Sequence, residues 1–154
     1  MEMQVIRNSS TWLEIMQPFE DVDPESLLCW FLEPEKIARW WGPQATIDAR
    51  PGGEWTIHFP QMNSTLTGEI AQLEPQRLTV SRAFTTEPEL PARIIIVTTQ
   101  RDDNGSLLRI VQGPYRQSES LPHEDSDRAA HLEGWEFFLG RLASVVTAHT
   151  NASA

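Results

Sequence analysis

Apolar residues recur with a helical period near the end of the chain and alternate with polar ones across its middle. Between Pro122 and His149, Leu132, Trp135, Leu139, Leu142 and Val146 follow one another at spacings of three and four. That places them on one stripe of an α-helix. Phe138 and Val145 widen the stripe on one side, Ala129 and Ala143 on the other, while Glu133, Glu136 and Arg141 point mostly away from it. Pro122 suits a first helical position, where its missing N–H has no partner to lose. Glu124, Asp125 and Asp127 put negative charge at the positive end of the helix dipole. Roughly 25 residues at about 1.5 Å each give a rod about 38 Å long. A rod with that much apolar side chain needs a broad apolar surface to lie on.

The middle of the chain supplies strands for it. Glu54 to Phe59 alternates, with Trp55, Ile57 and Phe59 on one face and Thr56 and His58 on the other. Arg77 to Phe84 alternates in the same way. Thr11 to Phe19, Ala45 to Ala49, Thr65 to Leu73, Arg93 to Arg101 and Leu107 to Gln112 complete the strand candidates. Arg50-Pro51-Gly52-Gly53 and Asp102-Asp103-Asn104-Gly105 read as turns between them. Two short helices interrupt the series after the first strand. Asp23 caps one that Pro24 opens, and Pro34 opens another that Gly42-Pro43 ends. Strands bounded by helices predict an α+β domain with an antiparallel sheet. One domain is expected over residues 11–148, with residues 1–10 and 149–154 loosely ordered.

Composition narrows the function more by exclusion than by assertion. The chain has 154 residues, a formal charge of −10, and scattered arginines with almost no lysine. Nucleic acid and anionic membrane surfaces both call for clustered cations, so neither is an expected partner. Cys29 is the one cysteine, which rules out an intrachain disulfide and reads as a small buried thiol. No signal peptide or transmembrane run is apparent, and a cytoplasmic location is expected. There is no His-Glu-x-x-His, no cysteine pair, no calcium loop, no nucleophile elbow and no phosphate-cradling glycine loop. No metal or cofactor is therefore expected.

Three segments in register carry a resemblance. They are Glu33-Pro34-Glu35-Lys36-Ile37-Ala38-Arg39-Trp40-Trp41-Gly42-Pro43, then Arg50-Pro51-Gly52-Gly53-Glu54-Trp55, and His131-Leu132-Glu133-Gly134-Trp135 with Leu139 and Leu142. Gly68-Glu69-Ile70 leading to Leu73-Glu74-Pro75 fits the same pattern. Together they resemble the SRPBCC superfamily, and within it the branch named after the activator of the heat-shock-protein-90 ATPase. The resemblance implies a helix-grip fold, in which a curved antiparallel sheet wraps a long C-terminal helix and a cavity lies between them. It says little about chemistry, because one fold hosts many functions.

The candidate site therefore rests on individual residues. Trp41, Trp55, Phe59, Phe84, Trp135 and Phe138 are aromatic residues expected to wall such a cavity. Trp135 is central to the helix stripe and neighbours Gly134, a helix-weakening residue best accommodated where something packs closely. Arg128 and His131 fall on the apolar arc near the helix start, and Tyr115 precedes the helix. These three are expected to give polar contacts at the cavity mouth. The leading expectation is a small hydrophobic or aromatic ligand with an acidic or hydroxyl edge. A cyclase- or hydrolase-like enzyme using His131 or Glu124 for proton transfer is the second reading. A protein-interaction module with an exposed apolar patch is the third. A homodimer is compatible with the sequence, but no pattern locates its interface.

Overall fold

The computed structural model describes residues 3–9, 11–62, 64–83, 93–115 and 124–153. Eight strands run as β1 (Gln4–Asn8), β2 (Leu13–Glu20), β3 (Gln44–Ile47), β4 (Glu54–Phe59), β5 (Ser64–Glu74), β6 (Arg77–Ala83), β7 (Arg93–Arg101) and β8 (Gly105–Gly113). Helices α1 (Pro24–Cys29) and α2 (Pro34–Trp40) follow β2, and α3 (Glu124–Ser153) closes the chain. The strands form one antiparallel sheet in the order β1-β2-β8-β7-β6-β5-β4-β3. β2 pairs with β8, joining the start of the domain to its last strand. The register shifts within the β5–β6 pair between Ile70 and Gln72, and within the β6–β7 pair between Val80 and Ala83. Such irregularities bend and twist a strand. The curved sheet wraps α3, which is the helix-grip architecture that the sequence implied.

The core lies on the concave face. β7 buries Ile95, Val97 and Thr99, every second residue, and β8 buries Leu108, Ile110 and Gln112. α3 answers with Trp135, Leu139, Leu142 and Val146, the stripe predicted from spacing. Trp30 and Phe31 in the link between α1 and α2, with Trp40 and Trp41 at the end of α2, fill one end. Trp40 and Trp41 stack at 4.8 Å between ring centroids, and Phe31 meets Trp40 edge-on at 5.1 Å. The buried indoles need acceptors. Trp40 Nε1 donates to the carbonyl of Trp30 at 2.9 Å, and Trp55 Nε1 to that of Phe31 at 2.9 Å. At the β3–β4 turn Gly52 has φ of 85°, a conformation that costs a glycine little.

Two boundaries differ from expectation. Residues 4–8 are not loose but form β1, an edge strand paired with β2 from Gln4 opposite Met16 to Asn8 opposite Leu13. Its side chains are all exposed, so no apolar alternation marks it. Its hold comes from backbone pairing and from Glu14, which takes Arg7 at 3.4 Å and Arg109 at 2.7 Å. At the other end α3 runs past His149 to Ser153, since no Gly or Pro intervenes to stop it. Pro122, expected to open this helix, lies outside the described residues.

Asp23 caps α1 as the sequence indicates, accepting from the Ser26 N–H at 3.4 Å. Hydrogen bonding from Ser26, its side chain first and this backbone N–H after it, holds the Asp23 carboxyl below its usual range. A carboxyl depressed in the folded state adds stability above its unfolded pKa and loses it as pH falls through the folded one. Asp23→Ala is thus expected to cost about 1 kcal/mol at neutral pH. The deficit should shrink as the pH drops below 3.8 and the wild-type cap becomes protonated. Urea midpoints of both proteins at neutral and acid pH check this.

Candidate functional site

A cavity of about 300 Å³ separates α3 from β4, β5 and β8. Its walls are mainly apolar: Trp41 at the end of α2, Phe59 on β4, Leu66 on β5, and Trp135 and Phe138 on α3. Ala130 and Gly134 are the small residues that α3 turns toward it. A Cβ added at Gly134 would meet nothing within 4 Å. The expectation that something packs closely against Gly134 is therefore reversed: its missing side chain is part of the open space. Trp41 links this wall to the core, with ring centroids 5.0 Å from Trp135 and 5.4 Å from Trp55.

One side of the cavity is polar and tightly ordered. Trp135 Nε1 donates to Gln112 Oε1 at 2.9 Å. An indole nitrogen can only donate, so this bond fixes which end of the fully buried Gln112 amide is oxygen. The amide nitrogen then faces the Tyr115 hydroxyl and, at 3.1 Å, His131 Nδ1. Tyr115 Oη lies 2.7 Å from the same Nδ1. Gln112 donates to the phenol oxygen and the phenol donates onward, so Nδ1 is an acceptor. The neutral imidazole therefore carries its hydrogen on Nε2, an assignment that follows from the hydrogen-bond partners.

The predicted residues are placed unequally. Trp41, Phe59, His131, Trp135 and Phe138 line the cavity together. Trp55 is buried behind Trp41, and its indole is committed to Phe31, so it supports the wall without reaching the cavity. Tyr115 does not overhang the mouth. Its N–H donates to the Thr11 carbonyl at 2.6 Å and it is 1% exposed, beneath His131. Arg128 does not line the cavity either. Its Nε donates to Asn8 Oδ1 at 2.8 Å, and its guanidinium lies 6.0 Å from the Tyr115 ring. It stands over the strand that the sequence reading took as loose. Phe84 lies outside the described residues.

Gln112 is the residue that the sequence reading missed. It follows Leu108 and Ile110 at alternate positions of β8, so a polar side chain in an inward series was the available signal. Cys29 has no chemical part in the cavity. Burial first, and the Glu33 carboxylate second, push its thiol pKa up, which keeps it protonated and unreactive. No group of three or more potential metal ligands occurs among the described residues, and none of their helices is long and apolar enough to cross a membrane.

Gln112→Leu removes the hub of the network and leaves buried donors unmatched. The expected loss is about 3 kcal/mol in a denaturant titration, well beyond that of a conservative surface change. In wild-type protein, long-range ¹⁵N NMR should find neutral His131 as the Nε2–H tautomer; an Nδ1–H ring would contradict the assignment.

Solved structures share the whole architecture at low sequence identity. A protein from Rhodobacter sphaeroides superposes with a TM-score of 0.76 at 19% identity, covering 96% of this chain and 99% of its own. Protein MLL2253 from Mesorhizobium loti gives 0.75 at 18%, covering 89% and 97%. Protein Ms6760 from Mycobacterium smegmatis gives 0.70 at 22%, covering 94% and 96%. No curated protein matches the chain. The family model for activator of Hsp90 ATPase homolog 1-like proteins matches residues 21–147, from the cap of α1 through most of α3, and the chain belongs to that family.

Proposed function

We propose that this protein binds a small apolar or aromatic molecule in the cavity between the sheet and α3. The observation that carries the reading is Gly134 opening onto empty space within a wall of Trp41, Phe59, Leu66, Trp135 and Phe138. Apolar pockets of this size with a few fixed polar groups are where small ligands lodge. The polar groups are held before any ligand arrives, because Gln112, Tyr115, His131 and Trp135 satisfy one another. The preferred ligand therefore has an apolar or aromatic body with a small polar edge that meets this ordered side of the cavity.

The interaction-module reading has less support. The large exposed apolar side chains among the described residues are Val5 and Ile6 on β1 and Phe137 on α3, a sparse set on two elements.

The test uses a neutral aromatic probe, N-phenyl-1-naphthylamine, followed by its own fluorescence and by quenching of tryptophan emission. Wild-type protein should bind it saturably with one site per chain. Gly134→Leu should weaken binding at least about tenfold by filling the cavity. It should not lower the melting temperature, since replacing a helical glycine gains up to about 1 kcal/mol. Equal binding by the variant would sink the proposal.

A further inference from the structure

A second cavity adjoins the first. It measures about 350 Å³ and lies between the end of α2, the Phe59-Pro60-Gln61 turn after β4, and α3. The two cavities share Trp41, Phe59 and Phe138. Phe59 and Phe138 stand 6.1 Å apart between ring centroids, both half-buried, as a partition between an inner and an outer chamber. The outer chamber adds Phe137, which is 61% exposed, and Arg141.

Among the described residues, Arg141 is the one charged residue lining the outer chamber, in a chain of net charge −10. The sequence pattern put it on the polar face of α3. The structure puts it at the edge of that face, where it borders an apolar cavity. No ion pair or hydrogen bond engages it among the described residues. His131, Gly134, Phe138 and Arg141 follow one another at three- and four-residue steps, so they form one strip along the helix. The ten steps from His131 to Arg141 span about 15 Å of helix.

We propose that the two chambers are one elongated site for an amphiphilic acid. This rests on the inner chamber being a ligand site. A ring or apolar head occupies the inner chamber beside His131. An apolar chain passes the Phe59–Phe138 partition. The carboxylate ends at the Arg141 guanidinium, which offers it charge-assisted hydrogen bonds in a planar fork. The acidic end therefore lies at the opposite end of the site from Arg128 and Tyr115, where the sequence alone had placed it. In a protein of net charge −10 a local cation offsets part of the repulsion an incoming anion meets.

The probes are dansyl-undecanoic acid and its methyl ester, which share a fluorescent head and a chain and differ only in the charge at the end. Wild-type protein should bind the acid about fivefold more tightly than the ester at low salt, the scale of an accessible ion pair. Added salt should erode that preference. Arg141→Gln should bring the acid-to-ester affinity ratio to about one, and Arg141→Lys should keep part of the preference. An acid that binds no better than its ester, or a preference that survives Arg141→Gln, overturns the proposal. Gly134→Leu separates the two levels of the reading. If it abolishes binding of the ester while Arg141→Gln leaves the acid preference intact, the inner site stands and the elongated site falls. If it leaves ester binding unchanged, the inner site itself falls and the elongated site with it.

Discussion

The hydrogen bond from the Trp135 indole to the Gln112 amide is the constraint on which the cavity depends. It joins the middle of α3 to the last strand of the sheet through a side chain with no solvent access. Both partners would carry a heavy desolvation cost if they separated. The bond sets how α3 lies over β8, because the strand backbone and the helix backbone each hold one end. It also orders what lies beyond it. Once the amide oxygen is committed to the indole, the amide nitrogen must face Tyr115 and His131, and the phenol and imidazole fall into line. A chain of this kind rigidifies a wall that apolar packing alone would let collapse.

The tryptophans raise the question of why they do not fill the space themselves. Their N–H groups answer it. Trp40 and Trp55 are tied to the backbone carbonyls of Trp30 and Phe31, and Trp135 to Gln112. Swinging any of these rings into the cavity would break a buried hydrogen bond. No such tether holds Trp41 among the described residues, yet Trp40, Trp55, Phe31 and Trp135 surround its ring at 4.8 to 6.0 Å. It is held by packing. The space persists there because Ala130 and Gly134 carry no side chain large enough to fill it.

Much of the frame was legible because it obeys local rules. The α3 stripe, the alternation of β4, the Asp23 cap and the proline-opened helices each follow from spacing or from single-residue chemistry, and the quoted motifs carried the fold. Phe59, Trp135 and Phe138 line the cavity for the same reason: an aromatic at an inward position of a curved sheet or its helix has few other places to go. What was not legible depends on contacts between distant residues. β1 has no apolar face and is held by its pairing with β2 and by the ion pairs at Glu14. Arg128 finds Asn8 on that strand, 120 residues away in sequence. Tyr115 is drawn inward by the Thr11 carbonyl and the Gln112 amide. Helical angle alone placed Arg141 on the polar side, but the neighbours of a helix edge are set by what crosses it.

The direction of the hydrogen bonds at His131 also bears on chemistry. An imidazole that serves as a general base accepts a proton at one nitrogen while a carboxylate or carbonyl stabilises the hydrogen on the other. Here Nδ1 faces Tyr115 and Gln112, and the amide nitrogen has only hydrogens to present, so with the Tyr115 hydroxyl aimed at it Nδ1 receives from both. Nδ1 is thus committed to the network and is not the nitrogen presented to the cavity. What His131 contributes to the wall is a ring whose position is set by Gln112, just as Gln112 is set by Trp135, so the ordered side of the cavity is one connected unit from α3 to β8 and back.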